Sequence, residues 1–178
     1  IHNGAWAHSG DIHTIELPFE NNASYDFVFS YSDLAGNSEE EKIEEHFTIA
    51  KEAPKNLCVE YSYSVADFVL EAVSFGFYKT PVTVTISADD AICGVDHFTY
   101  AFGVQIGASS VNAGRDDTVI PKNDIIYDGK SATATFEIPA QFRGKVSFMA
   151  VDTAGNSADF HDTKVIVVDT IAPGVTVS

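Results

Sequence analysis

Asp152-Thr-Ala-Gly-Asn156 is a short stretch that this chain contains in two versions, the earlier one being Asp33-Leu-Ala-Gly-Asn37. In each version an alternating apolar segment leads into the stretch, and another strand is expected to follow it. Glycine adopts positive φ without steric cost, and the side chain of the leading aspartate can accept hydrogen bonds from backbone N–H groups of its own turn. The pattern therefore predicts an aspartate-capped turn between two strands at both places.

The two versions belong to a longer internal repeat. The leading aspartates are 152 − 33 = 119 positions apart, and Ala53-Pro54 precedes Ala172-Pro173 by the same interval. Such a period is too long for a solenoid repeat and suits a whole small domain. If Ala-Pro begins a module, residues 53–171 form a complete module and residues 1–52 the C-terminal part of a preceding one. Residues 172–178 would then be the linker and first strand of a following module. We therefore expect tandem modules, one complete and one partial, from a longer array.

The charge and composition of the chain disfavour nucleic acid and membranes as partners. The 178-residue chain has 26 acidic and 10 basic side chains, giving a formal net charge of −16. This charge disfavours nucleic acid, whose phosphates attract Lys and Arg, and it disfavours anionic membranes. Hydrophobic residues make up 45% of the chain, enough for a packed core. No apolar run approaches the roughly 18 residues that a membrane helix needs, so we expect no membrane insertion within this segment.

The complete module reads as an all-β domain. Apolar and polar residues alternate most clearly in Pro81–Ala88, Asp96–Phe102 and Ser131–Ile138. Val65–Tyr78 is ambiguous between helix and strand, and we interpret it as an irregular crossover that includes a short strand. About seven short strands separated by turn residues predict a β-sandwich.

The partial module is predicted to contribute about three strands. Thr14–Phe19 and Tyr25–Ser32 alternate in the manner of strands, whereas Ser38–Glu45 carries five glutamates and is predicted to be a solvated loop. Tyr25 stands at the start of an alternating strand. A tyrosine at such a sandwich corner commonly bonds its hydroxyl back to upstream backbone, so a role in stability is expected for it.

A family resemblance is carried by several of these segments. They are Tyr31–Asn37, Phe47–Ile49, Ala53-Pro54, Val82–Ile86, Gly94–Asp96, Ala150–Asn156 and Val168–Pro173. Together they resemble bacterial immunoglobulin-like domains, which occur in tandem in large surface proteins of Gram-positive gut bacteria. The chain departs from that family at Lys51 and Glu52, where Asp-Thr is usual, and at Cys58 and Cys93. The resemblance implies an immunoglobulin-like β-sandwich fold and an extracellular setting at the bacterial cell surface or cell wall.

Two functions follow as hypotheses. The first is a non-catalytic module of a cell-surface array that acts as a spacer, a stalk or an adhesive surface. Its partners would be neighbouring immunoglobulin-like modules and host or glycan surface ligands. The alternative is a carbohydrate-binding or accessory module of a secreted glycan-degrading enzyme, which two or three coplanar exposed aromatics on one sheet face would favour. The sequence holds no motif of a nucleophile or a catalytic metal, so we do not expect an enzyme.

Calcium is the one cofactor that the sequence suggests. In a sandwich of the immunoglobulin type, the start of the first strand, the second–third-strand loop and the last hairpin turn share one pole. That pole would gather Asp89, Asp90, Asp152 and Glu52, and hard carboxylate oxygens suit Ca²⁺. The competing and favoured interpretation is that Asp152 caps its own turn while the others are solvated. His8, Asp11 and His13 also have the side-chain types of a metal cluster, although ordinary packed or surface histidines are favoured there.

The two cysteines are predicted to be close in space. Cys58 lies near the start of the first strand and Cys93 just past the end of Val82–Ala88. If those strands pair antiparallel, both cysteines reach the same pole, where a disulfide would have feasible geometry. Two unpaired thiols are the alternative.

Overall fold

The computed structural model describes residues 7–33, 35–62, 76–106, 109–110 and 118–175. In these ranges the regular elements are β-strands and one 3₁₀ turn at Lys122–Asp124, and no helix found there is long and apolar enough to cross a membrane. The chain divides into two compact units, Ile1–Lys51 and Glu52–Ser178. The assignment of these units to a partial and a complete module stays a prediction.

The described part of the first unit forms two antiparallel pairs of strands. β1 (Ala7–Ser9) pairs with β2 (Ile12–Thr14), and β3 (Ala23–Ser32) pairs with β4 (Ser38–Ile49). The strand predicted at Tyr25–Ser32 is confirmed within β3. The expected tyrosine contact is confirmed too, because the Tyr25 hydroxyl donates to the backbone oxygen of Asn21 at 3.0 Å.

Two predictions for this unit are wrong. Thr14–Phe19 is not a strand, because β2 ends at Thr14 and the following residues join no described ladder. Pro18 lies in this segment and has no N–H to donate to a ladder. Ser38–Glu45 is not a loop, because it belongs to β4 and pairs with β3 from Ser38 opposite Ser32 onward. The shared ladder outweighs the low strand preference of glutamate, which depends strongly on context.

The second unit contains the other strands. They are β5 (Lys55–Ser62), β6 (Phe77–Tyr78), β7 (Val82–Asp89), β8 (Val95–Ile106), β9 (Ser109–Ser110), β10 (Thr118–Val119), β11 (Ile125–Asp128), β12 (Ser131–Ile138), β13 (Phe142–Asp152), β14 (Ser157–His161) and β15 (Ile166–Val168). The strands predicted at Pro81–Ala88, Asp96–Phe102 and Ser131–Ile138 are confirmed as β7, β8 and β12. The crossover predicted for Val65–Tyr78 falls mostly on residues 63–75, outside the described ranges.

Two sheets make up the second unit. A four-stranded antiparallel sheet has the order β11-β12-β7-β5. A seven-stranded sheet has the order β10-β8-β13-β15-β6, with β14 also pairing with β13 and β9 with β8. β15 and β6 run parallel, whereas the other described pairs in both sheets are antiparallel. The architecture is all-β and sandwich-like.

Strand alternation places the core of the second unit. In β7 and β13 every second residue is buried, and the two rows of apolar side chains belong to one cluster that also draws on β8, β12 and β15. Phe98 and Phe148 are the largest fully buried side chains in it, and their rings meet edge to face at a centroid distance of 6.1 Å. Burying each such aromatic or branched side chain stabilises the fold by about 1.5–3 kcal/mol.

A polar contact joins the edge of the four-stranded sheet to the other sheet. The Tyr61 hydroxyl on β5 donates to the Asp162 carboxylate, which follows β14, and the Lys164 ammonium lies 5.2 Å from the Tyr61 ring centroid. Burial, together with the hydrogen bond to Asp162, raises the pKa of Tyr61. The phenol is therefore held in its neutral, donating form.

Candidate functional site: the loop pole of the second unit

The turn at residues 152–156 closes the β13–β14 hairpin. The Asp152 carboxylate accepts hydrogen bonds from the backbone N–H groups of Ala154 at 2.9 Å and Asn156 at 2.8 Å, and its other oxygen accepts from the Asn156 side-chain amide at 2.8 Å. Gly155 has a φ of 90°, in the left-handed region that glycine tolerates. Asp152 is 2% exposed, so this cap is also buried.

The turn in the first unit has the same internal geometry. The Asp33 carboxylate accepts from the N–H of Ala35 at 2.9 Å, from the N–H of Asn37 at 2.8 Å and from the Asn37 amide at 2.7 Å. The hydrogen bonds from Asn37 and from the turn backbone hold the pKa of Asp33 below its usual value. The predicted aspartate caps are therefore confirmed in both turns. They differ in environment, because Asp33 is exposed.

The loop after β7 is organised by a second buried carboxylate. Asp90 is 5% exposed, and one of its oxygens accepts from the N–H groups of Ile92 at 3.1 Å, Cys93 at 2.8 Å and Gly94 at 2.9 Å. Burial by itself would raise the pKa of Asp90. The backbone donors and the Cys93 thiol outweigh that effect and lower it, so the carboxylate is ionised at neutral pH.

Three loops meet at this end of the second unit, which we call the loop pole: residues 89–94, 128–131 and 152–156. The N–H of Thr153 donates to the carbonyl of Gly94 at 3.1 Å, and its hydroxyl donates to the carbonyl of Cys93 at 3.0 Å. The Asp90 N–H donates to the carbonyl of Lys130 at 2.9 Å, and the Lys130 ammonium donates to the carbonyl of Ile92 at 2.6 Å. The pole is thus held mainly by contacts to backbone.

The structure brings two of the four predicted calcium ligands together. Ligand atoms of Asp90, Cys93 and Asp152 all lie within 4.8 Å of one another. Asp89 instead accepts from the Asn56 amide at 3.0 Å, and this bond and one from Ser131 lower its pKa. Glu52 pairs with the Lys55 ammonium on the surface. Cys93 was not among the residues predicted for this group, although the sequence placed it at the same pole, three residues after Asp90.

The group fits a turn cap better than a calcium cage. Calcium takes six to eight oxygen ligands, whereas this group offers two carboxylates and a soft sulfur. One oxygen of Asp90 already accepts three hydrogen bonds, and both oxygens of Asp152 accept hydrogen bonds within their own turn. Calcium at Asp89, Asp90, Asp152 and Glu52 stays a prediction. Calorimetric titration of chelated protein with Ca²⁺ tests it.

A small recess lies beside the pole. It has a volume of about 120 Å³, and it is lined by Glu52, Ala53, Lys55, Asn56, Asp89, Asp90, Ala91 and Ile92. Pockets for sugars or drug-sized ligands are larger, roughly 300–1,000 Å³. The recess has room for ordered water or a small ion.

The predicted disulfide is not formed in this structure. Cys58 and Cys93 are both free thiols. Cys58 stands opposite Ser87 in the β5–β7 ladder and belongs to the exposed row of β5, while Leu57 and Val59 belong to the row packed on the core. Strand alternation therefore turns Cys58 away from the core side, and Cys93 is hydrogen bonded to Asp90 in the loop.

His8 and His13 are surface residues, as the sequence favoured, and the structure brings their two rings together. His8 and His13, on β1 and β2, lie side by side with their Nδ1 atoms 3.3 Å apart, and Asp11 occupies the turn between the two strands. His97 contacts Asp96, which also binds the Lys122 ammonium. The Lys122 and His97 contacts together lower the pKa of Asp96. His161 contacts the Ser147 hydroxyl at 3.1 Å.

Chemically, the loop pole stabilises negative charge with backbone N–H groups and holds loops in register. Its carboxylates are used as acceptors within the protein, and its thiol donates to one of them. A comparison with known protein families and with characterised proteins finds no match for the chain.

Proposed function

We propose that this chain is a non-catalytic, immunoglobulin-like portion of an extracellular bacterial array, at the cell surface or in the cell wall, where it acts as a spacer, a stalk or an adhesive surface. The observation that carries the proposal is the aspartate-capped turn, built with the same hydrogen bonds by Asp33 in the first unit and Asp152 in the second. A hairpin repeated at an interval of 152 − 33 = 119 residues is typical of tandem copies of one domain type.

The hydrogen bonding of the buried carboxylates supports a non-catalytic role. A general acid or base needs a side chain that can reach a substrate proton. Asp90 and Asp152 are instead buried and accept hydrogen bonds from their own loops. The Tyr25 hydroxyl likewise donates to backbone, which is a stabilising contact typical of immunoglobulin-like corners.

Surface labelling of intact cells of the source bacterium tests this proposal. An antibody raised against the chain is expected to decorate unbroken cells or their isolated walls. Antibody against a cytoplasmic marker serves as the control for lysis. Labelling that requires broken cells would contradict the proposed location, and turnover of any substrate by the purified chain would contradict the non-catalytic role.

The carbohydrate-binding alternative has one observation in its favour. Aromatic side chains are exposed at Tyr31, Phe47, Phe77 and Tyr127, at 37–51% of their surface. A sugar platform needs ring faces turned to solvent. Phe47 stacks on Tyr25 at a centroid distance of 5.3 Å, which covers one of its faces, and the Tyr127 hydroxyl donates to the backbone of Asp96. A glycan array with strong hits that disappear in Tyr127→Ala or Phe77→Ala would favour this alternative over the spacer.

A further inference from the structure

The first unit carries a pair of histidines in facing positions. β1 and β2 form a hairpin around Gly10, whose φ of 64° is left-handed, and the ladder pairs His8 directly with His13. Side chains of directly opposed residues project to the same side of a hairpin with Cβ atoms about 4.5–5.5 Å apart. Both histidines are exposed to solvent, so the two imidazoles converge on an accessible surface.

The separation of the imidazole nitrogens is that of two ligands on one metal ion. The two Nδ1 atoms are 3.3 Å apart, and the ring planes are inclined by 83°. Two imidazoles on a tetrahedral zinc ion, each bonded at about 2.0–2.1 Å, have their nitrogens roughly 3.3–3.4 Å apart. Cis ligands in octahedral geometry at similar bond lengths would be closer, at about 2.9 Å. In the metal-free protein the two rings share a hydrogen bond at this distance, with one Nδ1 as donor and the other as acceptor, and a bound ion would take its place.

We propose that His8 and His13 form a binding site for a divalent transition-metal ion of the zinc class, with Nδ1 of each imidazole as a ligand. Imidazole suits Zn²⁺, Cu²⁺ and Ni²⁺, whereas Ca²⁺ and Mg²⁺ prefer oxygen. The site is therefore chemically distinct from the carboxylate group at the loop pole. His8 and His13 are not among the residues that carry the proposed function, so the metal site and the proposed function are tested separately.

The two histidines would fill two coordination positions of the ion, and the space beside His13 offers room for further ligands. A recess of about 440 Å³ adjoins His13 and is otherwise lined by Tyr31, Ser32, Asp33, Asn37 and Ser38. The recess has room for water or an external ligand beside His13. The net charge of −16 raises the local concentration of cations around the whole chain.

Isothermal titration of the full chain with Zn²⁺ tests the site, with His8→Ala and His13→Ala as the test variants. Loss of even an outer-shell partner weakens metal sites by about 10–100-fold, so removing one of two ligands is expected to weaken zinc binding at least ~10-fold. His161→Ala is the matched control, because it removes another exposed strand histidine and should leave zinc binding unchanged. Both test positions are exposed, and circular dichroism confirms that the variants fold.

Imidazole signals in NMR supply the second measurement. Substoichiometric Zn²⁺ is expected to perturb the ring protons of His8 and His13 first, and excess Ca²⁺ should not reverse the change. Equal zinc affinity in the parent and in both test variants would overturn the site. An equal weakening in His161→Ala would overturn it as well, since binding would then be spread over the surface histidines.

Discussion

The carboxylates of Asp90 and Asp152 lie within 4.8 Å of each other at the loop pole, and each organises a different loop. At an effective dielectric constant of about 20, two unit negative charges at this distance would repel by about 3.5 kcal/mol. Each hydrogen bond from a backbone N–H to a charged acceptor contributes about 1.5–3 kcal/mol, and each carboxylate accepts more than one. The donors of the two loops therefore outweigh the repulsion.

The matched turns give a comparison of the same cap in two environments. Asp152→Ala is expected to lower the free energy of unfolding by about 2–3 kcal/mol, since it removes a buried acceptor from the N–H groups of Ala154 and Asn156. Asp33→Ala removes the same hydrogen bonds where water can replace them, so a clearly smaller loss is expected. Urea unfolding of both variants measures the difference. An equal loss of unfolding free energy in both variants would mean that burial of the aspartate does not determine how much the cap stabilises the protein.

The acid sensitivity of the loop pole follows from Asp90. The pKa of Asp90 is lower in the folded protein than in the unfolded chain. The ionised carboxylate therefore stabilises the fold at a pH above the unfolded pKa. This stabilisation is lost as the pH falls through the folded pKa. Unfolded aspartate titrates near about pH 3.9. The parent is therefore expected to be more stable than Asp90→Asn at pH 7, and the gap should narrow as the pH falls below about 4. A gap that is constant across pH, measured by urea unfolding, would contradict this.

Close backbone approach makes one glycine of the second unit irreplaceable. A Cβ at Gly144 on β13 would lie 2.0 Å from the carbonyl oxygen of Gly103 on β8. Backbone cannot move aside cheaply, so Gly144→Ala should destabilise the unit by at least about 2–3 kcal/mol. Gly174→Ala is the control, because a Cβ there meets nothing within 4 Å. Thermal unfolding checks the pair, and a melting temperature of Gly144→Ala equal to the control would refute the packing argument.

The free thiols should both be open to alkylation. Cys58 is exposed and is expected to react first, whereas Cys93 is partly buried and its thiol donates to Asp90, so it should react more slowly. Intact-mass measurement of non-reduced protein with an alkylating agent is expected to show one adduct and then two. Cys58→Ser identifies the fast site. Protein that takes up no adduct until it is reduced would instead carry the bridge.

Part of the fold could be predicted because strand alternation is a local property. Val82, Val84 and Ile86 repeat every second position and fill the core as expected. The bounds of β14 were not predicted, and the acidic half of β4 was predicted as a loop, because alternation does not reveal pairing with another strand. Each follows one of the two repeated turns and pairs back onto the preceding strand, so its conformation comes from the ladder and not from its own side chains.

The candidate site was predicted in part. Asp90 and Asp152 were expected at one pole and are found together there. For Cys93 the sequence left a disulfide and a free thiol open. The structure has the free thiol beside these carboxylates, because the loop that Asp90 caps brings Cys93 to Asp90 while Cys58 belongs to the outer row of β5. The approach of His8 to His13 depends on the register of a short hairpin, which sequence spacing left open.

The sequence by itself determined the two capped turns, since their hydrogen bonds lie within five consecutive residues and use an aspartate, a glycine and an asparagine in fixed order. Only the tertiary structure decided that one capping aspartate is exposed and the other buried. The turn that Asp152 caps is hydrogen bonded to Cys93, 60 positions earlier in the chain, and to Gly94, and contacts of that span form only when separate strands pack. The same local hydrogen bonds therefore contribute differently to the free energy of unfolding. The protein around Asp152 excludes water, whereas water surrounds Asp33.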